Sequence, residues 1–206
     1  MERPVAIPVG DGSLVLEGLY LAGATDDAGG AVIAPPHPLY GGSMGSPVVS
    51  ELAHAFRGAG GASMCFNWRG VGASAGVASG ENTDADADYA AALTQLSETV
   101  AGPLAACGYS FGAAAAVRAA AHPRVARLVL VAPPPALLDA QTLEAFPGRV
   151  LILVGEDDTI AAPDALEALA ARVPGAQFEL VVGADHFFVA GLAQIGRGVS
   201  AWLGSG

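Results

Sequence analysis

The sequence contains no lysine, and its nine arginines are scattered from Arg3 to Arg197. Twenty acidic residues give the 206-residue chain a formal net charge of −11 at pH 7. Proteins that bind nucleic acid neutralise its phosphates with a clustered positive surface. The charge pattern therefore predicts no nucleic-acid partner, and the acidity favours solubility.

Cysteine and long hydrophobic runs are also scarce. Cys65 and Cys107 lie inside apolar runs, which favours two small buried side chains over a disulfide framework. Glycine or proline interrupts every hydrophobic run before it reaches a membrane-spanning length, and no long apolar stretch follows a basic region at the start of the sequence. We therefore expect a cytoplasmic protein with no membrane segment.

Motifs for cofactors are missing as well. No group of histidines or cysteines has the spacing of metal ligands, and no glycine-rich loop matches a nucleotide-binding motif. The sequence therefore predicts no metal and no other cofactor.

Short apolar runs alternate with segments of helical potential along the whole chain. The first two runs flank an Asp-Gly turn and predict an antiparallel hairpin. The later runs are continuously apolar, as in strands buried on both faces. The predicted strands are 5–9, 14–21, 30–35, 62–67, 103–108, 128–132, 150–155 and 178–182; the predicted helices are 48–57, 83–97, 111–121, 163–173 and 187–203. This order predicts one α/β domain over residues 1–206, with an eight-stranded, mostly parallel sheet and helices on both faces.

The strongest motif is Gly108-Tyr109-Ser110-Phe111-Gly112. It follows an apolar strand and directly precedes an alanine-rich helix. A serine on such a sharp strand-to-helix turn is exposed at the end of the sheet, and the flanking glycines are needed because Cβ atoms there would clash. The context predicts that Ser110 is a nucleophile; an ordinary tight turn is the alternative.

A serine hydroxyl is a weak nucleophile at neutral pH, so it needs a histidine base and an acid that orients the histidine. Of the four histidines, only His186 follows both Ser110 and the acidic loop 156–158, and it lies just past a predicted strand. Within the acidic loop, Asp158 is the preferred acid and Asp157 is the alternative. The predicted catalytic residues are therefore Ser110, Asp158 and His186.

Acyl transfer through a serine also needs two backbone N–H groups that stabilise the oxyanion of the intermediate. Phe111, the residue after the nucleophile, is the expected first donor. The second donor belongs to the loop 35–42, whose three prolines carry no N–H. We expect Leu39 in this role, with Tyr40 as the second choice. His37 in the same loop either supports the loop by hydrogen bonding, which we favour, or contacts the substrate.

Three segments occur in a characteristic order: HPLYGGSM at 37–44, FNWRGVG at 66–72 and the motif around Ser110. Together they resemble the α/β-hydrolase superfamily over essentially the whole chain, and more narrowly its small bacterial hydrolases without a lid. The resemblance implies a Ser–acid–His triad carried by Ser110, Asp158 and His186. It also implies hydrolysis of an ester-like bond.

Two features narrow the resemblance. Pro35 stands where such proteins commonly have another histidine, so no role is carried over for that histidine. Larger members of the superfamily insert a helical cap between the sixth and seventh strands, whereas only residues 133–149 separate them here. We therefore expect an open, shallow pocket that takes an accessible acyl group.

Arg69 either contacts substrate or, together with Asn67, ties down a glycine-rich loop, which is the interpretation we favour.

Aromatic residues near the predicted strand ends are candidates to line this pocket. Tyr40, Tyr109 and His37 are the predicted substrate contacts. Phe187 and Phe188 fit the core of the last helix equally well. The full set of aromatic candidates is Tyr40, Trp68, Tyr109, Phe111, Phe187 and Phe188.

The function predicted from these residues is hydrolysis of a small-molecule ester-like substrate through an acyl-enzyme on Ser110. Thioesters, lactones and peptides stay open because the same triad serves them. Two other classes remain: a non-catalytic binding protein, and a lyase or cofactor-free peroxidase on the same fold. The complete set of triad positions favours the hydrolase. The sequence does not determine the oligomeric state.

Overall fold

An eight-stranded sheet runs through the centre of the protein, for which a computed structural model describes residues 2–25 and 27–205. The strand order is β1-β2-β4-β3-β5-β6-β7-β8. β2 pairs antiparallel with β1 and with β4, and the pairs from β4 to β8 are parallel, which confirms the predicted sheet. The strands are Glu2–Val9 (β1), Leu14–Leu21 (β2), Gly30–Ala34 (β3), Ala62–Phe66 (β4), Leu104–Tyr109 (β5), Val125–Val131 (β6), Arg149–Gly155 (β7) and Ala176–Val181 (β8).

Helices connect the parallel strands. The chain moves from β3 to β4 in one direction along the sheet and from β4 to β5 in the other, so right-handed crossovers place the first two helices on opposite faces. The first helix packs against the sixth, and the second packs against the third. The helices are Pro47–Gly58 (α1), Asn82–Thr99 (α2), Phe111–Ala119 (α3), Ala140–Glu144 (α4), Pro163–Ala170 (α5) and Leu192–Gly204 (α6).

The sequence prediction was wrong about the start of the last helix. A helix was expected over 187–203, but α6 begins only at Leu192. Phe188, with φ of 52°, and Gly191, with φ of 89°, both adopt left-handed backbone conformations that a right-handed helix cannot continue through. His186 and Phe187 consequently lie on a loop at the sheet edge.

The connection between β6 and β7 contains no cap domain, as expected from its length. It holds a 3-10 turn, Pro135–Leu137, and the five-residue helix α4. Helix α4 was not predicted from the sequence. Asp139 caps it by accepting the N–H of Thr142 at 3.0 Å. The edge of the sheet where β5, β7 and β8 end is therefore left uncovered by any inserted lid.

Cys65 and Cys107 are free and buried, as predicted. They stand on β4 and β5, opposite Ile33 on the strand between them. Burial raises the pKa of the Cys65 thiol to about 12. Among the described residues, no helix has the length and apolar character needed to cross a membrane. That part of the chain also holds no group of three or more His, Cys, Asp or Glu side chains placed to bind a metal ion.

Tyr89 on α2 ties the helix to the sheet through its buried hydroxyl. The hydroxyl accepts the N–H of Cys107 at 2.8 Å and contacts the carbonyl oxygen of Val32 at 3.0 Å. A Tyr89→Phe variant loses these buried hydrogen bonds to the backbone, so we expect the free energy of unfolding to fall by about 1–3 kcal/mol. Urea denaturation measures this change.

Tyr20→Phe is the matched control, because the Tyr20 hydroxyl makes none of the hydrogen bonds found in the described part of the chain. An unfolding free energy that falls equally in both variants would contradict a specific role for the Tyr89 hydroxyl.

Candidate active site

Ser110 lies on the turn between β5 and α3, with φ of 55° and ψ of −118°. Non-glycine residues rarely adopt positive φ, and such conformations concentrate at functional sites. The chain crosses itself tightly here. A Cβ atom at Gly108 would come within 2.2 Å of the Gly112 backbone, and one at Gly112 would come within 2.5 Å of the Ala34 carbonyl oxygen. Both glycines are therefore required for the turn that presents the Ser110 hydroxyl.

Three residues from the ends of different strands form one hydrogen-bonded chain. Ser110 Oγ lies 3.0 Å from His186 Nε2, and His186 Nδ1 lies 2.8 Å from Asp158 Oδ2. An ionised carboxylate only accepts, so His186 carries its proton on Nδ1 and leaves Nε2 free to accept the Ser110 hydroxyl proton. All three side chains are buried, with residue exposures of 9% or less. The arrangement is that of a Ser–His–Asp triad.

Asp158 is held as an anion by several donors. Its Oδ1 accepts the N–H groups of Ile160 at 2.8 Å and Ala161 at 2.7 Å. Burial by itself raises the pKa of Asp158, but the hydrogen bonds from His186, Ala161 and Ile160 outweigh it and bring the pKa below 3.8. Because folding lowers this pKa, the ionised carboxylate stabilises the fold above about pH 4, and this contribution is lost as the pH falls through the folded value.

Asp157, the alternative acid, points elsewhere. It is exposed, and its backbone N–H donates to the Ala184 carbonyl oxygen at 2.9 Å. The structure thus brings Asp158, and not Asp157, into contact with His186.

The two expected oxyanion donors differ in their present partners. Phe111 is the first residue of α3, so its N–H has no acceptor within the helix. The Leu39 N–H donates to His37 Nδ1 at 3.2 Å, whereas the Tyr40 N–H donates to the His37 carbonyl oxygen at 3.1 Å. Rotation of the His37 side chain would free the Leu39 N–H, whereas freeing the Tyr40 N–H would require the backbone turn itself to open. Leu39 therefore stays ahead of Tyr40 as the expected second donor.

His37 supports this loop. Its side chain caps the 3-10 turn Pro38–Tyr40, and its ring contacts those of Tyr40 and Phe111 with centroids 4.7 and 4.6 Å away. Burial lowers the pKa of His37, which favours the neutral ring that accepts at Nδ1. These contacts match the favoured interpretation of His37, although the residue also borders the cavity described next.

A cavity of about 700 Å³ opens beside Ser110. Tyr40, Tyr109, Phe111 and Phe187 are among its lining residues. Trp68 and Phe188, two further candidates from the sequence, are buried and do not line it. The lining residues are Pro36, His37, Tyr40, Gly41, Gly42, Ser43, Gly45, Ser46, Pro47, Tyr109, Ser110, Phe111, Pro134, Leu137, Ile160, His186 and Phe187.

Trp68 instead fixes the path of the loop that carries Leu39. Its indole N–H lies 3.2 and 3.1 Å from the carbonyl oxygens of Pro35 and Pro36, two residues with no N–H of their own. The ring packs edge-on against Phe111 at 5.6 Å between centroids. No pattern in the sequence distinguishes this supporting role from that of a residue in the pocket wall.

Arg69 also acts away from the cavity. Its guanidinium pairs with Asp84 and with the fully buried Asp88, 2.7 Å away. Asn67 accepts the Met44 N–H at 2.8 Å and donates to Glu17 at 2.7 Å. Both side chains tie loops to the core, as favoured from the sequence. The ion pair between Arg69 and Asp88 was not predicted from the sequence.

Tyr109 contributes its ring to the cavity and its hydroxyl to the triad histidine. The hydroxyl donates to the His186 carbonyl oxygen at 2.8 Å. Burial and the negative charges of Asp158 and Asp185 raise the pKa of Tyr109 to about 12, so it stays a neutral donor. Its hydroxyl is thus already engaged by the protein, and its ring is the part that lines the cavity.

The sheet, the turn at Ser110 and the absence of a cap domain define an α/β hydrolase fold of the lidless type, with a Ser–His–Asp arrangement at its strand ends. An α/β serine hydrolase homologue from Coxiella burnetii is 27% identical, with a TM-score of 0.87 over 98% of this chain and 97% of that one. A lidless α/β serine hydrolase from Xanthomonas campestris is 26% identical, with a TM-score of 0.80 over 97% of this chain and 92% of that one.

An uncharacterised protein from Rickettsia prowazekii is 28% identical over 199 residues, which span 91% of this chain and 84% of that protein. The sequence profile described as serine aminopeptidase, S33, matches residues 39–141, half of the chain. The chain therefore belongs to this family of the α/β-hydrolase superfamily.

Proposed function

We propose that the protein is a serine hydrolase that cleaves carboxylic ester bonds of small neutral substrates through an acyl-enzyme on Ser110. The observation that carries the proposal is the hydrogen-bonded chain from Ser110 through His186 to Asp158 at the wall of the cavity. Nucleophile, base and orienting acid already stand within hydrogen-bonding distance, which is the geometry that serine acyl transfer needs.

In the acylation step, Ser110 Oγ attacks the ester carbonyl carbon while His186 Nε2 takes the hydroxyl proton. The ionised Asp158 stabilises the imidazolium that forms. The N–H groups of Phe111 and Leu39 stabilise the oxyanion, for which the Leu39 N–H exchanges His37 Nδ1 for the substrate oxygen. The bond to the alcohol oxygen then breaks, and the alcohol leaves with the proton from His186.

In the deacylation step, water takes the place of the alcohol. His186 removes a proton from the water as it attacks the acyl carbon, and returns a proton to Ser110 Oγ as the acid leaves. The alcohol has departed by then, so the rate of this step depends on the acyl group alone.

The lining of the cavity supports a neutral substrate. Apart from His37 and His186, none of the described lining residues is basic, and none is acidic. A free α-ammonium group, which an aminopeptidase must bind, has no carboxylate among them to pair with. The net charge of −11 also disfavours anionic substrates. Neutral esters fit this chemistry better than peptide amino termini do.

Hydrolysis of p-nitrophenyl butyrate, compared with that of alanine p-nitroanilide, tests the proposal. We expect release of p-nitrophenol from the ester and none of p-nitroaniline from the peptide analogue. Release from the anilide alone would favour a peptidase, and release from neither substrate by folded protein would favour the non-catalytic alternative.

Tyr109 is a positioning residue in this mechanism. A Tyr109→Phe variant keeps the ring in the cavity but frees the His186 carbonyl, so the imidazole is held less firmly. We expect kcat to fall about 10-fold, the equivalent of one buried hydrogen bond, with KM nearly unchanged. Steady-state kinetics measure the split between kcat and KM. A change confined to KM would assign the hydroxyl to substrate binding instead.

A further inference from the structure

Phe187 is a large apolar side chain that the fold leaves 66% exposed beside the triad histidine. Its ring stands edge-on to the His186 ring, with centroids 5.7 Å apart and planes at 89°, and it lines the cavity. We propose that Phe187 forms the wall against which the leaving alcohol binds, and that it selects esters of neutral aromatic or similarly bulky apolar alcohols. This inference rests on the proposed esterase function.

The direction of proton transfer places the alcohol on this side of the site. His186 Nε2, 3.0 Å from Ser110 Oγ, must hand the proton it accepts to the alcohol oxygen as the ester C–O bond breaks. The alcohol therefore leaves next to the imidazole. The carbonyl oxygen is bound elsewhere, by the expected donors Phe111 and Leu39. Tyr109 and Phe187 both lie near the imidazole and line the cavity, with ring centroids 5.8 and 5.7 Å from that of His186, and of the two only Phe187 is exposed.

The backbone holds Phe187 in position without using its ring. The Phe187 N–H donates to Asp185 Oδ1 at 3.0 Å, and the Phe188 N–H donates to the Asp185 carbonyl oxygen at 3.3 Å. The next side chain, Phe188, is buried and packs against Tyr109 with ring centroids 6.0 Å apart. The loop is thus anchored on both sides of Phe187, and its exposed ring is free to contact a ligand.

The surroundings of Phe187 favour a neutral apolar partner. Ile160, which follows Asp158 on the neighbouring loop, is 50% exposed and lines the same cavity. Aromatic rings bind each other in offset or edge-on arrangements, and a phenylalanine side chain loses little entropy on doing so because it has only two rotatable bonds. An aromatic alcohol therefore gains a contact with Phe187 that a small alkyl alcohol does not make.

A comparison of benzyl acetate with ethyl acetate separates the contact of Phe187 with the alcohol group from the chemistry of the acyl group. They form the same acetyl-enzyme, and their alcohols have similar acidity, so the ratio of their kcat/KM values reports contacts to the alcohol during acylation. We expect Phe187→Ala to lower the benzyl-to-ethyl ratio about 10-fold. We expect Phe187→Tyr to keep the ratio near that of the wild type.

Val189→Ala is the matched control, since Val189 is an exposed apolar residue of the same loop that does not line the cavity. It should leave the ratio unchanged. The inference is overturned if Phe187→Ala slows both esters equally, if Val189→Ala shifts the ratio as much, or if the wild type accepts a fluorophosphonate on Ser110 but does not hydrolyse benzyl acetate. If Ser110 is not labelled and neither ester is hydrolysed, the proposed function itself fails.

Discussion

Replacing Ser110 by alanine is expected to lower kcat/KM for p-nitrophenyl butyrate on the order of 10⁵-fold, because removing the nucleophile removes the acyl-enzyme route altogether. Alanine faces the same positive φ of 55° as serine at this position, so the substitution introduces no new backbone strain. The loss therefore reports chemistry and not unfolding. Stopped-flow and steady-state hydrolysis, with the melting temperature measured in parallel, make the comparison.

Ser50→Ala, on the exposed face of α1, serves as the control for handling and purification. Residual hydrolysis by Ser110→Ala that matches the wild type, in protein free of host esterases, would contradict a catalytic role for Ser110.

The second large effect concerns two adjacent aspartates. Asp158→Asn is expected to lower kcat on the order of 10⁴-fold, whereas Asp157→Asn should change it within about twofold. An amide at 158 can donate to His186 Nδ1, which favours the tautomer with the proton on Nε2. That tautomer cannot accept the proton of Ser110. Steady-state kinetics of the two variants at the same pH measure the difference.

The pH dependence of stability checks the same assignment. Because the folded pKa of Asp158 lies below its ordinary value of 3.8, the wild type should lose stability relative to Asp158→Asn as the pH falls through that lower value. Asp157→Asn should follow the wild-type curve. Equal kinetic losses in both variants would contradict the assignment of Asp158 as the orienting acid.

The sequence was most informative where local pattern and chemistry coincide. Apolar runs predicted all eight strands. The motif around Ser110 predicted the turn, because its two glycines lie where the backbone segments approach too closely for a Cβ atom. The positions of Asp158 and His186 after later strands were readable because parallel strands end at one edge of the sheet.

Features that depend on tertiary contacts could not be predicted from the sequence. The late start of α6 follows from a left-handed Phe188, a conformation that its residue type disfavours and that its buried ring stabilises. Trp68 was a candidate for the pocket wall because it is aromatic and follows a predicted strand, but in the structure its indole N–H contacts the carbonyl oxygens of two prolines. The ion pair of Asp88 could not be predicted because its partner, Arg69, lies 19 positions away along the sequence.

The exposure of Phe187 also depends on tertiary contacts and could not be predicted from the sequence. The sequence alone assigns Phe187 to neither the core nor the pocket, because two adjacent phenylalanines fit either interpretation. In the structure, Phe188 belongs to the core and packs against Tyr109, while Phe187 faces the cavity. Which of the two points outward is set by the Asp185 turn that precedes them.

The most direct test of the proposed hydrolase is covalent labelling with a fluorophosphonate, followed by mass mapping of the peptides. We expect one adduct, on the peptide that contains Ser110, and its loss in a folded His186→Ala variant, because the serine then lacks its base. An adduct on another serine, or no adduct in folded wild-type protein, would contradict a serine hydrolase that acts through Ser110.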